Sequence, residues 1–352
     1  MLTVRRAQRL NLSNRQVASE LEMSETPIYE MTTTRREDIW NLLTQLSGLL
    51  FCGGLCFSPL FAQSSATRLP ARLPARLPAR LPAQYAKLVP LHETLPPPQP
   101  GEWLAEHRES GQTLAEYRRT RYVKAASGRK TIYIQVLGEM TEKQEEIIGI
   151  TKEYLEIYFG LPVKMLPAIP VSNFPQNARR THPSWGNHQL LTSYILEKVL
   201  PPRLPRDACA MIAFTAHDLY PGEGWNFVFG HATYQARVGV WSIYRNGDPT
   251  ESQDAYALCL KRTLRLASHE TLHMFSMLHC TQYRCNLNGV NHLQEADAAP
   301  LWICPECLGK LKLATNINFK KRIDALIAFH KKYGLTEEAE FYQQEKIVID
   351  GQ

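Results

Sequence analysis

The chain has 352 residues, of which 44% are hydrophobic and 21% charged, and its formal net charge is +6. These values are typical of a soluble globular protein with one large domain or two. Much of the positive excess lies in arginine-rich stretches before residue 131, which indicates a basic leader and linker rather than a surface for nucleic acid. Eight cysteines in a chain of this length exclude a small disulfide-stapled fold.

Residues 1–30 contain a short amphipathic stretch, residues 12–24, in which apolar side chains recur at helical spacing. The stretch resembles the first half of a helix-turn-helix, with Ser24 as a cap, but no complete recognition helix follows. We interpret residues 1–30 as an upstream extension, and the sequence leaves open whether translation begins at Met1 or at Met31.

Residues 31–66 have the layout of an apolar leader. Arg35 and Arg36 precede a stretch from Ile39 to Thr67 without a charged residue, which passes from apolar to small side chains. This order is typical of a secretory signal peptide, although two acidic residues interrupt its basic start. The apolar core is too short and too glycine-rich for a stable membrane span. The sequence therefore favours export over a cytosolic protein with an apolar N-terminal helix.

Residues 67–101 form a proline-rich segment. The unit Arg-Leu-Pro-Ala occurs four times from Arg68 to Ala83, and a second proline cluster lies at residues 96–100. Proline at every fourth position removes backbone donors and prevents a regular helix, so the pattern predicts an extended, semi-rigid spacer. We therefore expect the folded domain to occupy residues 102–352.

This domain alternates strand and helix patterns, which predicts an α/β (α+β) fold. The predicted strands are Lys130–Leu137, the buried Ala208–Phe214 and an edge strand Val238–Tyr244. The predicted helices are Glu142–Phe159, His188–Leu200, Ser252–Ser276, Phe319–Tyr333 and Glu337–Gln344.

Within the long helix, the sequence His-Glu-x2-His places His269 and His273 four residues apart. Two such histidines lie on one helical face, one turn apart, so both imidazoles can reach a single metal ion. Glu270 is turned by about 100° around the helix from His269. That position is unsuited to a ligand but is close enough for a general base acting on water at the metal.

The third candidate ligand, His279, requires a sharp bend in the chain. A continuous helix would carry it roughly 9 Å beyond His273 and point it away from the metal. The chain must therefore leave the helix near residue 276 and turn back. If Ser276 adopts a left-handed conformation in this bend, the cost is about 1 to 2 kcal/mol, because the residue is not glycine.

A second group of candidate ligands follows immediately. Cys280 and Cys285 form one short-spaced pair, and Cys304 and Cys307 form another. Four thiolates make the closed tetrahedral shell of a structural zinc. The spacing favours this interpretation, while two disulfides remain the alternative that export would permit.

The combined pattern, His-Glu-x2-His-x5-His-Cys-x4-Cys and then Cys-x2-Cys, closely resembles the archaemetzincins, a metzincin subfamily of zinc peptidases. Residues 225–230 and 291–297 resemble further family segments, and the likeness covers about residues 130–335. The resemblance implies a twisted mixed sheet over an active-site helix, with substrate along an edge strand. It also implies a four-cysteine zinc subsite and C-terminal helices. Leu287 stands where the family has the methionine of its Met-turn.

We therefore expect a zinc metallopeptidase that binds two zinc ions, one catalytic and one structural, and that acts on a peptide or protein. The alternative is a catalytically weak or inactive zinc-stabilised peptide-binding module, because Ser276 stands where many metzincins have glycine and Leu287 stands where the family has methionine. No nucleic acid and no stable membrane span are expected. The sequence does not identify substrate-binding residues, and His188, His217 and His231 are interpreted as surface or hydrogen-bonded histidines.

Overall fold

The computed structural model describes residues 81–126, 128–233 and 236–351. The predicted helix-turn-helix stretch, the predicted signal peptide and nearly all of the Arg-Leu-Pro-Ala repeat lie outside the described residues. None of the helices in the described part of the chain is long and apolar enough to cross a membrane.

Eight strands lie within the described residues. They are β1 (Thr131–Leu137), β2 (Val163–Ile169), β3 (Arg179–Thr181), β4 (His188–Leu191), β5 (Ala208–Thr215), β6 (Asp218–Tyr220), β7 (Gly230–Thr233) and β8 (Val238–Ser242). The main sheet has the order β2-β1-β5-β8-β7 and is parallel except for β7, while β3, β4 and β6 form a small second sheet. The predicted strands at 130–137 and 208–214 are confirmed as β1 and β5.

The predicted edge position of residues 238–244 is wrong. These residues do form a strand, β8, but it is buried between β5 and β7. The short strand β7 forms the edge on this side of the sheet, and it pairs with β8 in the antiparallel direction. Both faces of β8 are covered, so all five of its residues are buried from solvent. Its sequence, which mixes apolar residues with glycine and serine, does not indicate this burial.

The helices pack around the main sheet. They are α1 (Ala83–Ala86), α2 (Trp103–Glu106), α3 (Leu114–Arg119), α4 (Glu142–Phe159), α5 (Thr192–Tyr194), α6 (Gln253–Met274), α7 (Leu293–Ala298), α8 (Pro305–Thr315), α9 (Phe319–Lys332) and α10 (Thr336–Asp350). Side chains alternate between two cores: Ile132 and Ile134 face the core that contains α4 and α6, whereas Tyr133 faces the core on the other side of the sheet. The predicted α/β architecture is confirmed.

One predicted helix begins too early. Residues His188–Leu191 form strand β4, and the helical conformation starts at Thr192 and continues to Val199. Gln189 and Leu190 pair with residues of β6, and Leu190 also pairs with β3. These pairings with distant residues outweigh a helical preference that is weak in this stretch.

The described end of the proline-rich segment is packed rather than extended. Tyr85 and Leu88 are buried in the core that contains α4 and α6. Leu95 donates a backbone hydrogen bond to Gln282, just before the second proline cluster. Apolar side chains and backbone pairing between the prolines thus bring residues 83–101 into the fold, so it extends further upstream than the predicted boundary at residue 102.

Candidate metal centre

Helix α6 carries the first two candidate ligands on one buried face. Ser252 caps its N-terminus by accepting a hydrogen bond from Ala255, and the helix runs without interruption to Met274. The Nε2 atoms of His269 and His273 lie 3.0 Å apart. Glu270 is 4% exposed, so its carboxylate is placed at the same buried end of the helix.

The helix ends in the bend that the sequence requires. Ser276 has a φ of 67°, the left-handed conformation expected there. Its amide donates to the His273 carbonyl at 2.7 Å, and Met277 donates to the Leu272 carbonyl at 3.4 Å, so the bend satisfies carbonyls that the helix end leaves free. The chain then returns, and the ring centroid of His279 lies 4.9 Å from that of His273 and 5.4 Å from that of His269.

Each of the three imidazoles is oriented through its Nδ1 atom. His269 donates to the Asn286 carbonyl at 2.7 Å, and His273 donates to the Met277 carbonyl at 2.6 Å. His279 donates to the Glu109 carboxylate at 2.9 Å. With every Nδ1 engaged, the Nε2 atoms are left as the ligand atoms, and those of His269 and His273 already face each other.

The protonation states also suit metal binding. Burial, followed by the charge of neighbouring histidines, lowers the pKa of His269 and His273 well below the usual value. Both imidazoles are therefore neutral near pH 7, which is the form that coordinates a metal. The Nε2 atom of His279 is buried and has no hydrogen-bond partner among the described residues. A buried nitrogen of this kind fits a metal ligand.

The four predicted cysteines also converge. One ligand atom from each of Cys280, Cys285, Cys304 and Cys307 lies within 4.8 Å of the others, and all four residues are buried and free of disulfides. The Sγ atoms of Cys280 and Cys304 are 3.6 Å apart. Sulfurs around a tetrahedral zinc lie about 3.8 Å apart at the usual Zn–S distance. The cluster thus fits a structural zinc and not the disulfide alternative.

Backbone amides and one buried cation support the cysteine cluster. The amides of Leu287 and Cys304 donate to Cys285 Sγ at 3.4 and 3.3 Å. Lys310 is completely buried on α8, with its Nζ 3.9 Å from Cys307 Sγ. Burial lowers the pKa of Lys310, but the cysteine charges raise it by more, so the lysine stays charged beside the cluster.

The two clusters share one loop. His279 and Cys280 are adjacent, and the Cys280 amide donates to the Leu287 carbonyl at 2.7 Å. Leu287 is fully buried, and the carbonyl that orients His269 belongs to its neighbour Asn286. Any movement of this loop therefore reaches both clusters.

An N-terminal strap, defined as residues 93–123, runs antiparallel to the post-helix segment, residues 275–289. Backbone hydrogen bonds join its start to this segment: the Arg284 amide donates to the Glu93 carbonyl, and the Leu95 amide donates to the Gln282 carbonyl. Side chains of the strap continue the contact through the pairs Glu109–His279, Gln112–Leu278 and Tyr117–Phe275. Near its end the Val123 amide donates to the Ser276 hydroxyl at 3.3 Å. The strap thus follows the segment that delivers the third histidine.

Sequence reasoning missed Glu109, Lys310 and Tyr117. Glu109 has no local signal, because it lies far from the ligands in the chain and between polar residues. Lys310 could have been noticed as a charge three residues after Cys307 on a helix. The structure does not bring His188, His217 or His231 into either group of metal-ligating side chains within the described residues.

The chain is similar to several known proteins. Residues 207–313 match the family described as Peptidase family M54. Archaemetzincin-2 of Homo sapiens is 33% identical over 259 residues, which cover 65% of this chain and 71% of that protein. Archaemetzincin-1 of Homo sapiens is 27% identical over 260 residues, covering 64% and 51%. A crystal structure of archaemetzincin from Archaeoglobus fulgidus, complexed with malonate, is 27% identical, covers 51% of this chain and 99% of its own, and has a TM-score of 0.39.

Proposed function

Because the chain belongs to the archaemetzincin family of zinc-dependent peptidases, we propose that it hydrolyses peptide bonds at the three-histidine site, with Glu270 as the general base. The observation that carries the proposal is the convergence of His269, His273 and His279, each oriented through Nδ1, at the buried end of the helix that also holds Glu270.

In this proposal the three imidazoles would hold one zinc ion through their Nε2 atoms. Zinc would supply Lewis-acid chemistry there: polarisation of the scissile carbonyl and acidification of the attacking water. His269 and His273 are unprotonated, because burial and the charges of their neighbours lower the pKa of both imidazoles. Their carbonyl partners keep the rings from rotating out of the site.

Glu270 performs the proton transfers. It directly follows His269 on α6 and is buried at the same end of the helix as the two helical ligands. It takes a proton from the attacking water and then gives that proton to the leaving amine. The rigid helix fixes this geometry before substrate binds.

The four cysteines hold a second, structural zinc. The fit to tetrahedral sulfur spacing and the closed, fully buried shell support this role, with no position left for substrate. Leu287 takes the place of the Met-turn residue. Leucine and methionine have similar volumes, so the change leaves the packing of this buried position nearly intact.

The substrate is a peptide that binds in an extended form along β7. This strand is one of the two edges of the main sheet, and an edge strand offers backbone donors and acceptors to an added strand. A pocket lined by Phe229, Arg265, Leu266 and His292 lies where β7 begins and beside α6, so it can receive one substrate side chain. The peptidase domain in this proposal includes the strap, while the leader and export at residues 31–66 remain a prediction.

Substitution of Glu270 by Gln tests the proposal. We expect the variant to retain two zinc ions per chain and to lose at least a hundredfold in hydrolysis of a peptide library, because general-base catalysis contributes about 10²–10⁴-fold. Zinc is counted by elemental analysis, and cleavage is measured by mass spectrometry. Glu251→Gln, an exposed carboxylate just before α6, is the matched control and keeps full activity.

Two results would contradict the proposal. Equal hydrolysis by the parent chain and the Glu270→Gln variant would remove Glu270 from the mechanism. Zinc-loaded parent protein that cleaves no peptide in the library would instead favour the zinc-stabilised binding module.

A further inference from the structure

The third histidine is held differently from the other two. His269 and His273 sit on a continuous helix and donate to backbone carbonyls of residues 286 and 277. His279 lies on a loop after a left-handed bend, and its Nδ1 donates to a side chain, the carboxylate of Glu109. Both oxygens of that carboxylate are in range, at 3.0 and 2.9 Å.

We propose that Glu109, supplied by the N-terminal strap, is a positioning residue that orients His279 toward the catalytic zinc. The inference rests on the proposed three-histidine zinc site. A carboxylate on the far nitrogen fixes the tautomer and the rotation of the ring, and it makes the coordinating nitrogen more basic. The Nδ1 atoms of the two helical histidines donate to backbone carbonyls, whereas that of His279 donates to a carboxylate, so His279 is the ligand whose strength depends most on this hydrogen bond.

The strap is anchored on both sides of Glu109, which limits how far the carboxylate can move. Upstream, the Trp103 amide donates to the Glu295 carboxylate at 3.1 Å, and the Trp103 ring meets the His279 ring edge-on at 5.2 Å. Downstream, the buried Tyr117 hydroxyl donates to the Phe275 carbonyl at 2.6 Å. The Glu109 side chain is 28% exposed, whereas that of His279 is 2% exposed. The hydrogen bond between Glu109 and His279 is therefore shielded from solvent mainly by the residues that bury His279.

The geometry at Glu109 agrees with this role. Its two carboxylate oxygens lie 3.0 and 2.9 Å from the Nδ1 atom of His279, so the carboxylate can accept the imidazole proton. Glu106, three residues upstream on the same strap, has its carboxylate near the Gly101 amide at 3.3 Å instead.

The experiment compares Glu109→Ala and Glu109→Gln with the control Glu106→Ala in the full chain. Zinc affinity is measured by competition with a chelator, and the same proteins are loaded with Co²⁺ for visible spectroscopy. We expect Glu109→Ala to weaken zinc at the histidine site by 10- to 100-fold, the usual effect of losing such a partner, and to change the Co²⁺ d–d bands. The thiolate-to-cobalt charge-transfer bands of the cysteine cluster stay unchanged. Glu109→Gln keeps an acceptor oxygen and is affected less, and Glu106→Ala matches the parent.

Histidine-site zinc affinity within twofold of the parent in Glu109→Ala, with unchanged d–d bands, would overturn the inference. If Glu109→Ala unfolds and loses both metals, the Glu109→Gln variant is the test. Weaker zinc binding at the histidine site alone supports the inference. Zinc affinity and d–d bands equal to those of the parent protein overturn it. If the parent protein binds no zinc at the histidine site, the proposed function itself is contradicted. This result is distinct from a failure of the inference about Glu109.

Discussion

The four-cysteine cluster and the three-histidine cluster are neighbours along the chain, yet they depend on different parts of it. The cysteine cluster draws its amide donors and its buried cation from residues 285–310, close to its own ligands. The histidine cluster takes two ligands from one helix but needs the strap, some 170 residues upstream, for the third. The comparison suggests that the cysteine cluster is the more independent unit and that the histidine cluster is completed by distant contacts.

The largest expected effect comes from breaking the cysteine cluster. Cys304→Ala removes one of four buried ligands and leaves Lys310 without its full counter-charge. We expect the variant to lose both zinc ions and most of the net stability, which is about 5 to 15 kcal/mol for a typical domain. Thermal unfolding and zinc analysis measure this.

The control for that variant is Cys259→Ala, which removes a buried cysteine of α6 that belongs to neither cluster. It should cost about 1 kcal/mol, the scale for one small buried group. Two retained zinc ions and an unchanged melting temperature in Cys304→Ala would show that the cysteine cluster is not a structural centre.

A chelator should remove the two zinc ions one after the other, first from the histidine cluster and then from the cysteine cluster. A three-ligand site has an open position that a chelator can enter, whereas four thiolates close the shell. Titration with a chelator should therefore remove one zinc with all hydrolytic activity while circular dichroism stays unchanged. The second zinc should leave only as the protein unfolds, and added zinc should restore activity after the first step. If the zinc of the cysteine cluster left first and the protein stayed folded, the cysteine cluster would not be the more independent unit.

The smallest effect concerns the bend between α6 and His279. Ser276→Ala and Ser276→Gly both lose the hydroxyl that accepts the Val123 amide, but only alanine keeps the strain of a left-handed residue. We expect Ser276→Ala to be less stable than the parent by about 1 kcal/mol. Ser276→Gly should be more stable than Ser276→Ala by about 1 kcal/mol. Urea unfolding measures both differences, and equal midpoints for the two variants would mean that the bend carries no strain.

Sequence patterns predicted the elements whose structure depends on residues close together in the chain. Helix α4 begins and ends at the predicted residues because Thr141 and Gln144 form a capping box and Gly160 ends the helix in the left-handed region. The bend at Ser276 was predicted because a third ligand at this spacing requires it. Both predictions depended on fewer than about twenty consecutive residues.

The elements that the sequence did not predict are set by pairing with distant residues. Residues 188–191 form a strand because β3 and β6 lie beside them, and β8 is interior because β7 covers it. Glu109 contacts His279 only because the strap returns to the post-helix segment. No periodicity in residues 93–123 indicates which of several acidic side chains will meet a histidine.

The strap has a consequence for the order of folding during synthesis. A ribosome adds about 5 to 20 residues per second, so Glu109 emerges roughly 10 to 30 seconds before His279. During that interval Trp103 and Tyr117 have no post-helix segment to cover them, and their apolar rings are exposed to other nascent chains. The contact between Glu109 and His279 therefore cannot form until more than three quarters of the chain has been synthesised.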